Sequence, residues 1–211
     1  MGRNLQENVR IRLIPHLLAL LGLLGSEASA QSLFSQRLQE DRNLTVVPAI
    51  AVKSFDSLGG KAQTLDSLPQ TLAALLGPPL ADAIQNERDR TYPHAQPIPQ
   101  AIRTQLAPFF PRSVLQSVRY STDWDPTAVG TLPQLLLGNG AVRAVTLGDV
   151  ILFRDVYLAE DPLLWAHELT HVEQYRRLGV ETFATEYLQQ AEILENEAIT
   201  KANMIKKHLV R

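Results

Sequence analysis

The segment Trp165-Ala166-His167-Glu168-Leu169-Thr170-His171-Val172 constrains this chain more than any other, because it demands a helix with histidines inside it. Helical spacing puts His167 and His171 one turn apart on the same face, so both imidazoles can reach one zinc ion. Glu168 lies beside that pair, placed to take a proton from an attacking water without binding the metal. The flanks agree. Asp161-Pro162 supplies an N-cap and a first-turn proline, while Arg176-Arg177 and then Gly179 supply last-turn cations and a stop. Leu163, Leu164, Ala166, Thr170 and Val172 keep the motif in an uncharged setting. Glu173 stands where active zinc peptidases usually carry an apolar residue, and it is expected to face solvent.

Two histidines do not complete a catalytic zinc site, which takes three protein ligands and a water. The longer His-Glu-x-x-His-x-x-Gly-x-x-His pattern fails, because Gln174 and Arg177 occupy its last two positions. Asp161 is the last aspartate in the chain, so no aspartate follows the motif. His16 belongs to a leader-like segment, His94 to a proline-rich connector, and His208 to the C-terminal end. That leaves the downstream glutamates Glu181, Glu186, Glu192, Glu195 and Glu197. Glu195 fits a Glu-x-x-Ala ligand pattern with Ala198 and Ala202, whereas Asn196-Glu197-Ala198 fits a different ligand pattern. Those two carboxylates point about 200° apart on a helix, so only one can face the metal. Glu195 is favoured, with Glu197 the alternative third ligand. His94, Tyr157, Tyr175 and Tyr187 are candidate donors to a tetrahedral oxyanion.

The first thirty residues read as an export signal. Arg3, Arg10 and Arg12 precede a leucine-rich run from Ile14 to Leu24, and Ala28-Ser29-Ala30 is a small-x-small cleavage site. The run falls short of the roughly 18 apolar residues of a membrane span. The mature protein is expected to begin at Gln31 and to be periplasmic or secreted, without stable membrane insertion. The leader holds three arginines against Glu7 and Glu27, so its removal takes the net charge from −2 to −3. A mildly acidic chain offers no electrostatic case for nucleic acid. With no cysteine, it has neither disulfides nor thiolate chemistry, and no residue for lipid attachment after the apolar run.

Along the mature chain, Val46 to Val52 suggests a short edge strand. Leu65 to Ala83 reads as two short helices separated at Gly77-Pro78-Pro79. After the proline-rich stretch from Pro93 to Pro99, Ile102, Leu106, Phe109 and Phe110 mark a helix ending before Pro111. Leu115 and Val118 mark a second, and Val118 to Ser121 a strand. Ala141 to Thr146 and Val150 to Phe153, separated by Leu147-Gly148-Asp149, predict a hairpin before the motif helix. Val180 to Gln190 and Ala191 to Leu209 read as two further helices. The expected fold is α+β and mostly helical, with a small antiparallel hairpin or sheet ahead of the motif helix. Its expected parts are a signal peptide (1–30), a helical region of unclear role (31–96) and a metal-binding domain (97–211).

Ala144-Val145-Thr146 with its hairpin, followed by Leu163 to Val172 and Gln174, resembles the zincin-like metallopeptidase domain also called the extracellular contractile-injection-system (eCIS) core domain. Pro97-Ile98-Pro99 through Val118-Arg119-Tyr120 is similar to the helical lead-in of that family's stand-alone members, so the resemblance spans roughly 97–202. It implies a zincin-like fold and a hydrolase whose substrates are generally unknown. Motif and elimination together predict an exported zinc metalloendopeptidase of the gluzincin type, with Zn2+ on His167, His171 and Glu195, Glu168 as catalytic base, and a peptide or protein as substrate. The alternatives are a non-catalytic zincin scaffold that binds or braces in the cell envelope, and a secreted effector.

Overall fold

Asp161 begins the helix on which the rest is built. Its carboxylate accepts hydrogen bonds from the amides of Leu163 and Leu164 at 2.9 and 3.3 Å, and Pro162 fills the first helical position, where no amide is missed. At the other end Gly179, with φ 79°, donates its amide to the Tyr175 carbonyl at 2.8 Å. The computed structural model describes residues 68–128, 132–138 and 142–209, so the expected leader and the strand at Val46–Val52 lie outside the described residues.

The elements in chain order are α1 (Leu68–Thr91), β1 (Gln96–Pro97), α2 (Gln100–Leu106), α3 (Arg112–Ser117) and β2 (Arg119–Ser121). Then follow α4 (Leu132–Leu137), β3 (Ala144–Leu147), β4 (Val150–Phe153), α5 (Pro162–Leu178) and α6 (Val180–Leu209). Short 3-10 turns at Tyr92–His94 and Leu158–Glu160 lead into β1 and α5. The fold is α+β, as expected.

Among the described residues four strands form one sheet, in the order β1-β2-β4-β3. The hairpin is present, with Leu147 opposite Val150 and a two-residue turn whose Gly148 has φ 66°. A positive φ at the first turn position is what a type II′ hairpin uses, and glycine adopts it without strain. The sheet is not purely antiparallel, however. β2 lies parallel to β4, with Tyr120 opposite Ile151, so the sheet is mixed. A three-residue strand carries too little sequence pattern to declare its partner or direction. Pro97 sits on the outer strand β1, where a missing amide does least harm.

All four β4 side chains are buried, and the pleat sends them alternately to two sides. Ile151 and Phe153 join Leu106, Val114, Val118, Trp165, Leu169 and Val172 in one apolar cluster. Leu152 joins Ile84, Leu147, Tyr175, Phe183 and Leu194 in the other. Helix α5 contributes to both clusters, which is why residues 164–172 are buried without a break. Trp165 is sealed in, with its indole N–H donating to the Ala159 carbonyl at 2.7 Å and its ring against Tyr120 and Phe153. Burying a side chain of that size contributes about 3 kcal/mol, and truncation to alanine would cost about 3–5 kcal/mol.

Two expectations about helices need correction. The predicted break at Gly77-Pro78-Pro79 is absent, and α1 is one continuous helix. Two prolines inside a helix forfeit backbone bonds at a cost of roughly 3 kcal/mol or more each. Here α1 packs lengthwise on α6, so closely that a Cβ added to Gly77 would lie 2.3 Å from the Thr185 hydroxyl. Tertiary contact outweighs local propensity. Helix α2 also stops early, at Leu106, with Phe109 and Phe110 in the turn beyond it. The two helices expected from Val180 to Leu209 are present as the two limbs of α6, which bends at Gln190 (φ −151°, ψ 43°).

Candidate metal centre

Because α5 is buried around its middle, the motif sits in the interior. His167, Glu168 and His171 are buried, at 4, 3 and 5 % exposure. The imidazole Nε2 atoms of His167 and His171 face each other at 3.0 Å. Beyond the bend at Gln190, α6 turns one stripe toward α5: Ala191, Leu194, Glu195, Ala198 and Ile205, all buried. The alanines let the two helices approach, and Glu195 rides on the same stripe. Its Oε2 lies 3.3 Å from His167 Nε2, and its Oε1 lies 3.5 Å from His171 Nε2.

These three residues form a group able to hold a metal ion, with ligand atoms all within 4.8 Å of one another. Tetrahedral ligands at about 2.0–2.1 Å from zinc are spaced about 3.3 Å from each other. His167 Nε2 lies close to that spacing from both partners, 3.0 Å from His171 Nε2 and 3.3 Å from Glu195 Oε2, while the other Glu195 oxygen, Oε1, lies 3.5 Å from His171 Nε2. Glu195 Oε2 is moreover buried with no hydrogen-bond donor. A buried carboxylate oxygen without a partner is costly, and a cation between the three side chains would remove that cost. The donor set therefore fits zinc.

Glu197, the alternative ligand, is directed elsewhere. It is half-buried, bound through both oxygens by Arg177 at 3.0 and 2.8 Å, and it accepts from Gln174 Nε2 at 3.0 Å. The Arg177 hydrogen bond is the main reason its pKa lies below the ordinary 4.5.

A ring of neighbours holds the histidines and carboxylates in place. Gln174 is fully buried; its Nε2 donates to the Leu194 carbonyl at 2.9 Å and to Glu197. Two acceptors on the nitrogen fix the amide so that Oε1 faces His171 Nδ1, at 2.8 Å. Nδ1 must then carry the proton, which leaves the Nε2 lone pair toward His167 and Glu195. Tyr187 donates its hydroxyl to Glu195 Oε1 at 2.8 Å, and Thr146 on β3 donates to Glu168 Oε2 at 2.7 Å. None of these three partnerships was predicted from sequence. Gln174 and Thr146 stood out only as parts of a family-like run, and Tyr187 as an oxyanion donor.

Burial by itself disfavours a charged His167, yet its pKa is raised, because the Glu195 carboxylate 3.3 Å away and the charge of Glu168 outweigh desolvation. Burial likewise pushes Glu195 up, and its close approach to the His171 and His167 rings, with the hydrogen bond from Tyr187, brings it below its ordinary value. Tyr175 and Tyr187 are both raised, first by burial and then by Glu168 and Glu195 respectively.

His167, Glu168, His171 and Glu195 line one pocket together with Tyr175 and Tyr187. The other two oxyanion candidates are not among its lining residues: His94 is exposed in a 3-10 turn, and Tyr157 is 79 % exposed. Glu173 does not face solvent as expected. It is half-buried and paired with Lys201, whose ammonium also sits over the Phe110 ring at 4.1 Å. The partner on α6 neutralises a charge that the motif alone left unexplained.

Helix α1 packs across the expected boundary at residues 96 and 97, and contributes Leu80 and Ile84 to the pocket. No helix among the described residues is long and apolar enough to cross a membrane. No curated protein and no solved structure matches the chain. Its middle does find a family: residues 97–179, from β1 to the glycine that ends α5, match the eCIS core domain and carry the two histidines and Glu168 within it.

Proposed function

We propose that this chain is an exported zinc-dependent peptidase with a zincin-like, gluzincin-type centre. His167, His171 and Glu195 hold the metal and Glu168 is the catalytic base. The observation that carries the reading is the convergence of two imidazole nitrogens and an unpartnered buried carboxylate oxygen in one pocket with a second, separately held carboxylate. Zinc bound there supplies Lewis acidity, acidifying a water and polarising a peptide carbonyl.

The chain's own residues do the rest. Thr146 engages Oε2 of Glu168, which orients the carboxylate to take the water's proton as the C–O bond forms. The same proton passes to the leaving amine as the C–N bond breaks. Strand β3 is the last in the sheet order and lines the pocket beside α5, so it supports an extended peptide laid along it. The substrate is accordingly a peptide or an unfolded protein segment.

The test uses the full chain, loaded with zinc, against a broad peptide library. Wild type should cleave, and Glu168→Gln should keep its metal while losing at least about 100-fold in turnover. Zinc bound at one per chain with no cleavage by wild type would instead favour the non-catalytic scaffold.

A further inference from the structure

Three helices each send an i, i+4 pair of apolar side chains to the same place: Leu80 and Ile84 from α1, Leu132 and Leu136 from α4, Phe183 and Tyr187 from α6. Residues four apart share a helix face, so each pair presents a strip of hydrocarbon to the pocket. Among the lining residues, the ionisable side chains apart from two tyrosines are His167, Glu168, His171 and Glu195, the polar cluster itself. Among the described residues neither arginine nor lysine lines it. Leu80, Leu132, Leu136 and Tyr187 are only half-buried, so the strips do not close on one another. Protein interiors otherwise pack to crystal-like density. An apolar concavity left open beside polar groups is the arrangement that takes a guest, and such concavities bind apolar guests in preference to water.

From this we infer that the pocket is a side-chain subsite. It accepts a bulky aliphatic or aromatic residue of the substrate next to the bond being cleaved, and it rejects acidic ones. The inference rests on the peptidase reading and adds the substrate class to it. Glu168 and Glu195 repel a carboxylate, and among the described residues no arginine or lysine lines the pocket to receive one. Four of the six walls, Leu80 and Ile84 on α1 and Phe183 and Tyr187 on α6, lie outside the span that matches the eCIS core domain, so selectivity is set largely by this chain's own α1 and α6.

The full chain with methyl-labelled Ile and Leu is titrated with N-acetyl-leucinamide, N-acetyl-phenylalaninamide and the amide of N-acetyl-aspartate. Burial of the side chain predicts that the first two shift the Ile84, Leu132 and Leu136 methyls at concentrations about 10- to 100-fold lower than the third. Leu132→Arg, at a half-buried position, should erase that preference and improve the response to the aspartate amide. Equal responses to all three probes, or shifts confined to methyls elsewhere, overturn the inference. Zinc content and library cleavage are read on the same sample. Cleavage without side-chain preference sinks the subsite alone, and failure to take up zinc sinks the peptidase reading while the methyl response still decides the pocket.

Discussion

Replacing Gln174 by leucine asks whether the layer behind the ligands matters as the geometry says. Leucine roughly fills the volume but removes three contacts: Oε1 to His171 Nδ1 at 2.8 Å, and Nε2 to the Leu194 carbonyl at 2.9 Å and to Glu197 at 3.0 Å. Glu197 keeps Arg177, and the Leu194 carbonyl lies inside α6, where the helix supplies a donor. The loss that counts is therefore the His171 N–H, left buried with no acceptor, which costs about 1–3 kcal/mol of stability. Without that acceptor the ring no longer favours the proton on Nδ1. Loss of such an outer partner weakens metal binding by about 10- to 100-fold. A zinc titration against a chromophoric chelator reads the affinity, and nitrogen NMR of the His171 ring reads the tautomer. Gln174→Glu keeps an acceptor and should keep the tautomer, although it places a second carboxylate beside Glu197. Zinc affinity within twofold of wild type in Gln174→Leu, with the tautomer unchanged, would refute the reasoning.

Thr146→Val removes the donor to Glu168 while keeping the shape. It should leave zinc content intact and lower turnover about tenfold, consistent with the worth of a hydrogen bond to a charged group. Asp161→Ala deletes the α5 cap and the partner of Arg143, and should cost about 1 kcal/mol in chemical denaturation. Acidity separates the metal-free chain from the loaded one. The raised pKa of His167 means that its pairing with Glu195 is fully present below the ordinary 6.5 and fades as pH climbs through the elevated value. The lowered pKa of Glu195 means that its contribution is present above the ordinary 4.5 and is lost as pH falls through the depressed value. Between those limits the pair stabilises the metal-free chain most. Zinc displaces that proton, so the gap in melting temperature between zinc-loaded and chelator-treated protein should widen from pH 5.5 to about pH 8. A gap that narrows over that range would contradict the arrangement.

What the sequence disclosed depended on the range of the interaction involved. Local signals held: the Asp161-Pro162 start and Gly179 stop of α5, the turn at Gly148, and the division of α6 at Gln190. That only one of Glu195 and Glu197 meets the histidines was legible in part, because a helix cannot present both to one partner. What sequence could not state was the reason: Glu195 shares the alanine-rich stripe that meets α5, whereas Glu197 meets Arg177. Long-range facts were hidden. The prolines of α1 promised a break, and only contact with Thr185 and its neighbours on α6 explains a continuous helix. The parallel pairing of β2 with β4, the Lys201 partner of Glu173 and the Tyr187 donor to Glu195 all join positions whose spacing carries no periodic pattern.

Everything proposed for this chain turns on the sphere made by two imidazoles and the Glu195 carboxylate. Zinc K-edge X-ray absorption on the purified full chain addresses it directly. The spectrum should show two imidazole nitrogens at about 2.0–2.1 Å with oxygen completing a four-coordinate shell, and one imidazole should vanish in His167→Ala. A chain that takes up no zinc, or zinc whose shell is unchanged in both His167→Ala and Glu195→Ala, would contradict it.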